Sequence, residues 1–213
     1  MLSICVTKFD FFLFNNSLTF AIVKIKITIN MNKRFIAISA IIFFAAISRL
    51  LPHAPNFTPI GAMALFAGAY ISNRYLAFLI PILALLLSDA LMGFNGWYFV
   101  EQTIAVYGTF MLITALGLLM QKNKGILKVA GLSIASSLVF FIITNLFVWI
   151  GGFIHKPELY SLTASGLAQC YAMAIPFFDR TLASDMFYNT VLFGGFYLLQ
   201  INIPSLKTEK VRS

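Results

Sequence analysis

The sequence predicts an all-α membrane protein, a bundle of six transmembrane helices with a short interfacial helix on the outer face. Three observations predict it. Of the 213 residues, 60% are hydrophobic and 10% charged, against roughly 25% charged in a soluble globular chain. Mean hydropathy is +0.90, and the apolar residues come in runs of roughly 15 to 26, near the ~20 that a helix needs to cross a ~30 Å hydrocarbon core. The basic residues sit in short clusters between those runs rather than along one polar face. A net charge of +8 therefore reads as a topology signal and not as a nucleic-acid footprint.

The spans follow in order. The first is expected over Phe35–Leu51, ending at Arg49, Pro52 and His53. A shorter apolar helix over Phe57–Ile71 opens at Pro59, whose missing N–H costs little in a first turn. The third, Tyr75–Phe94, carries Pro81 and is expected to kink. Gln102–Met120 is the fourth, stopped by a polar run at 121–125. Val129–Ile154 is the longest, and Met186–Ile203 is the last. Ser161–Phe178 is apolar enough to tempt a seventh crossing, and charge decides against it. With six spans, Lys33, Arg34, Arg74, Lys122, Lys124, Lys128, Lys207, Lys210 and Arg212 share the cytoplasmic side, and Arg49, Lys156 and Arg180 face out. A seventh crossing would send the tail charges outward, against the positive-inside rule. The segment 161–178 is therefore read as a helix on the outer face, with Trp97 and Trp149 anchoring the same boundary. Asp179 and Arg180 then precede the last span, with Thr181 or Ser184 as its cap.

Residues 1–30 do not fit this scheme. They are broken by Asp10, Asn15 and Asn16 and lack a small-residue cleavage site, whereas Met31 opens a short basic start ahead of an apolar run. They are read as a gene-model extension or disordered leader before one six-helix transmembrane domain, 31–213. Cys5 and Cys170 give no disulfide framework, and Cys170 reads as a packing residue. Small residues at Ala64, Gly68 and Ser72, and at Gly131 and Ala135, are spaced for close helix approach, read first as packing within the chain.

Chemistry concentrates on one side. Five of the six acidic residues from Met31 onward, Asp89, Glu101, Glu158, Asp179 and Asp185, fall at the outer side or the outer ends of spans. Arg49, His53, Asn56, Thr58, Asn95, Gln102, Asn145, Gln169, Tyr171, Arg180 and Asn189 join them. Ionisable groups at membrane depth are costly unless they pair or reach water, so this distribution points to an outward-facing polar cavity. Asp89, in LLLSDALMGF, is either the wall of such a pocket or half of an internal ion pair with Arg49 or Arg180. His53 and His155 have no partners at ligand spacing, so no metal or other cofactor is expected. Nor is there an HExxH, G-x-S-x-G or Walker A pattern, and the chain is not expected to be an enzyme.

The segments RLLPHAPNFTPIGAMALFAGAYI (49–71), IPILALLLSDALMGF (80–94) and IPFFDRTLASDMFYNTVLFGGFYL (175–198) carry a resemblance. The chain resembles an uncharacterised family of bacterial membrane proteins described as transport proteins. That family is similar in turn to the substrate-binding S components of energy-coupling factor transporters. The resemblance implies an S-component-like bundle in the bacterial inner membrane, both termini cytoplasmic, binding an unidentified small-molecule solute from the outer face. It implies membrane lipid, a coupling subunit and ATPase modules as partners, and no nucleic acid. The substrate-binding set expected is Asn56, Asp89, Asn95, Glu101, Gln169, Arg180, Asp185 and Asn189. S components dock through small residues four apart on their first span; Phe35–Leu51 lacks that pattern, and the nearest is Ala64–Gly68–Ser72. Two other classes fit the residues: a structural or assembly protein whose polar groups pair internally, and a membrane-embedded enzyme using Asp89, Asp179 or Asp185 on lipid or envelope intermediates.

Overall fold

A computed structural model describes residues 33–93, 100–155 and 160–207, and every regular element among them is helical. Helix α1 spans Lys33–Ser48, α2 Ile60–Tyr70, α3 Arg74–Leu91, α4 Val100–Leu118 and α5 Ile126–His155. α6 (Ala164–Asn189) runs through one π-helical turn, Thr190–Gly194, directly into α7 (Gly195–Asn202). A 3₁₀ turn at Pro204–Leu206 follows. Asn95 and Trp97 lie outside the described residues.

Local chemistry sets the ends. The Asn73 side chain accepts from the Tyr75 and Leu76 amides at 3.0 and 3.3 Å and starts α3. Gly93 stops it with φ at 73°, and its N–H donates to the Ala90 carbonyl. That left-handed conformation after a helix is where glycine carries no Cβ penalty. The glycine of the SDALMG segment is thus a helix terminator. Thr163 caps α6 through the Gly166 amide.

The centre of the bundle is α2. All eleven of its residues are buried, and it packs against α1, α3, α4, α5 and α6. At ~1.5 Å per residue it is roughly 16 Å long, about half a hydrocarbon core. Its C-terminal end is held by Gln121, whose side chain donates to the Gly68 and Ile71 carbonyls. Gly68 lies back to back with Gly117 of α4: a Cβ on Gly117 would sit 3.0 Å from the Gly68 Cα. The Ala64–Gly68 stripe therefore serves packing inside the chain. Gly131 has nothing within 4 Å of where its Cβ would be, so its stripe has no such role among the described residues.

Two expectations need correcting. Three segments, α3, α4 and Ile126–Gly152 of α5, are long and apolar enough to cross a membrane, not six. α1 has 16 residues, α2 meets protein on every side, and the α6–α7 rod is interrupted by Asp179, Arg180 and Asp185. Hydropathy alone cannot separate an apolar helix wrapped by protein from one wrapped by lipid.

The second correction concerns 161–178 and 186–203, which are not two helices but one rod, Ala164–Asn202. Thr181 and Ser184 do not cap anything. The Thr181 hydroxyl donates to the Phe177 carbonyl within the helix, and that of Ser184 donates across to the Thr58 carbonyl at 2.7 Å. Pro176 removes one backbone donor without ending the helix.

Candidate functional site

Asp89 sits near the C-terminal end of α3, where the loop after α1 brings Arg49 beside it. The Arg49 guanidinium meets its carboxylate at 2.7 Å, and both side chains are 11% exposed. Tyr107 of α4 donates to the other oxygen at 2.8 Å. Arg49 also donates to the Ser88 hydroxyl, which in turn donates to the Leu85 carbonyl. This corner ties α1, α3 and α4 together, and Asp89 forms the internal ion pair with Arg49 that the sequence left open against a pocket role.

A second polar group runs along the seam between α5 and α6. Asp185 is 3% exposed and Asn189, one turn on, is 2% exposed. The Ser137 hydroxyl donates to Asp185 Oδ2 at 2.6 Å, and Asn189 Nδ2 donates to Ser133 Oγ at 2.9 Å. Asn189 Oδ1 is buried without a hydrogen-bond partner. The Asp185 carboxyl stands against the first turn of α2: a Cβ on Gly61 would lie 2.9 Å from its Cγ. Among the described residues no cation pairs with Asp185.

Two cavities flank this seam. One, of about 280 Å³, is lined by Asn56, Gln102, Thr144, Asn145 and Thr181, with the rings of Phe141 and Phe178 in its wall, their centroids 5.0 Å apart and their planes tilted by 56°. Asn56 belongs to the non-helical stretch ahead of α2 and has φ of 63°, a left-handed conformation that asparagine tolerates better than most residues. The other cavity, of about 830 Å³, reaches from Ser133 and Asn189 to Arg34, Tyr70, Lys124 and Gln200. Arg34 and Lys124 both lie over the Tyr70 ring, at 5.8 and 5.0 Å. Burial lowers the Lys124 ammonium from its ordinary range, and the Arg34 charge adds to that.

The expected binding set therefore divides. Asn56 lines the smaller cavity and Asn189 the larger; Asp185 lines neither, but Thr181 and Asn189, one turn from it on either side of α6, line one each. Asp89 is in the ion-pair corner. Glu101 is half-buried at the start of α4, and Gln169 and Arg180 are exposed on α6. The structure adds Thr144, Thr181, Gln102 and Asn145 to the cavity wall, and Ser133 and Ser137 to the seam. The serines had a signal, three hydroxyls at 133, 136 and 137 inside an otherwise apolar run. No cluster of metal-ligating side chains occurs among the described residues.

Residues 29–206 match a family of unknown function, DUF6580. The chain belongs to that family. No curated protein and no solved structure matches it.

Proposed function

We propose that this DUF6580 protein is a multi-pass membrane transport protein, a solute-binding subunit that admits a small molecule from the outer face of a bacterial inner membrane. One observation carries the reading. α2 is a half-length helix that begins deep in the bundle, and the non-helical segment leading to it borders the 280 Å³ cavity through Asn56. Irregular backbone at membrane depth is tolerated where it is enclosed by protein or lines a cavity, and half-helices that start mid-bundle are a recurring feature of solute sites. The positive-inside rule puts the Arg34, Lys124 and Lys207 end in the cytoplasm, so the Asn56 cavity opens outward.

Amides, hydroxyls and phenyl rings line that cavity, so its solute is small, uncharged and able to hydrogen-bond. In the S-component-like arrangement, a coupling subunit with ATPase modules would supply the energy. Ala64 and Gly68 are spent on internal packing, so such a subunit meets another face. Native mass spectrometry of the gently solubilised protein tests the reading. A co-purifying small molecule is expected, and it should be lost in Gln102→Leu combined with Asn145→Leu. A folded protein that is empty in both forms would remove the solute reading. That result would favour a structural or assembly bundle, the alternative that the internal Arg49–Asp89–Tyr107 pairing supports.

A further inference from the structure

Asp185 has the surroundings of a group that changes its protonation rather than one held in a single form. A bare carboxylate in apolar surroundings is costly, and the usual remedy is a cation beside it. None is present among the described residues, and no charged side chain acts on Asp185. From α2 it meets Gly61, and from α5 it meets Ser137, with Ser133 one turn further. The titratable groups on the elements packed against it stand apart. Tyr70 on α2 is nine residues from Gly61, and Lys128 and His155 on α5 are nine and eighteen from Ser137, about 13 Å of helix or more. On α6 itself, Asp179 and Arg180 are exposed five or six residues back, and Tyr188 packs its ring against Phe57.

Both forms of the carboxyl have a place to sit. As an anion it accepts from Ser137 and faces the first turn of α2, whose N–H groups lack intrahelical acceptors and carry the positive end of the helix dipole. As an acid it can donate to the same serine oxygen, because a hydroxyl serves either way. One turn in one direction, Thr181 lines the cavity at the Asn56 end; one turn in the other, Asn189 lines the cavity at the Arg34 end. Asn189 Oδ1, buried and without a partner, is a vacant acceptor on that second side.

We propose that Asp185 is a proton-exchange site between the two cavities. Its O–H bond breaks as the proton passes to a water molecule in one cavity, giving hydronium and the carboxylate. Hydronium in the other cavity restores the acid, and nothing is oxidised or reduced. The proposal goes beyond solute binding and does not depend on which solute the smaller cavity takes.

Infrared difference spectroscopy of the full chain in lipid nanodiscs, between acidic and alkaline pH, tests it. A protonated-carboxyl carbonyl band should fade as pH rises, be absent from Asp185→Asn, and persist in Asp179→Asn. The Ser137→Ala variant should shift the band's frequency by removing its hydrogen-bond partner, which attributes the band even where Asp185→Asn fails to fold. A band that persists in Asp185→Asn, an unshifted band in Ser137→Ala, an interior carboxyl indifferent to pH, or a response to sodium at fixed pH would each overturn the proposal. No solute is involved in this measurement, so its failure leaves the solute reading untouched, and the reverse holds.

Discussion

Asp89 and Asp185 are the same side chain in two buried places, and the bundle treats them differently. Asp89 has a guanidinium at 2.7 Å, a phenol at 2.8 Å and a corner of three helices closed around it. Asp185 is more deeply buried and has a serine hydroxyl and the start of a helix. Breaking an ion pair strands a charge, whereas replacing a carboxyl that meets no cation strands nothing. Depth of burial alone therefore says little about what an acid does inside a bundle; its partners decide.

That contrast can be broken by substitution, beginning with the largest effect. Asp89→Ala or Arg49→Ala leaves an uncompensated buried charge and should cost about 3–5 kcal/mol in detergent unfolding. Arg49→Met together with Asp89→Leu should recover most of it, because the stranded charge is gone. Tyr107→Phe removes one hydrogen bond to a charged group, an expected loss of about 1.5–3 kcal/mol by the same measurement. Gly61→Ala drives a methyl into the Asp185 carboxyl and should cost about 1–3 kcal/mol, separating the helices that hold the seam. Asp185→Asn should be mildest, under about 1 kcal/mol, since an amide keeps the size and the Ser137 hydrogen bond. If Asp185→Asn destabilises as much as Asp89→Ala, the two acids are alike and the contrast fails.

The helical bodies were legible because each apolar run is bounded by its own stop signals, such as Asn73 ahead of α3 and the polar run after α4. Arg49 was one of the two partners expected for Asp89, because both fall on the outer side of the predicted spans. The continuity of Ala164–Asn202 was not legible. Pro176 and the Asp179–Arg180 pair look like an interruption in sequence, yet the proline removes only one backbone donor and both charged side chains lie exposed on the surface of the rod. Nor could the sequence reveal that the seven described residues of its expected site scatter. That depends on register between helices far apart in the chain, set by contacts such as Gly68 against Gly117 and Ser184 against the Thr58 carbonyl. Asp185 and Asn189 entered the expected set because polar residues gather on the outer side of the predicted spans; Ser133 and Ser137 are a weaker signal, because a hydroxyl can satisfy itself on its own helix.

The burial of α2 also bears on how the protein is made. A membrane segment is ordinarily released to lipid as a stable helix and finds its neighbours afterwards. α2 is too short to reach across a bilayer and presents no surface to lipid once the bundle is closed. If the chain is the multi-pass protein proposed above, α2 would enter the membrane together with its neighbours α1 and α3 and be enclosed when α4 arrives to seat Gly117 on Gly68. On that reading biogenesis would proceed by cohorts of helices and not by single spans, and a ribosome-stalled fragment ending after α2 should be extractable from the membrane whereas one ending after α4 should not.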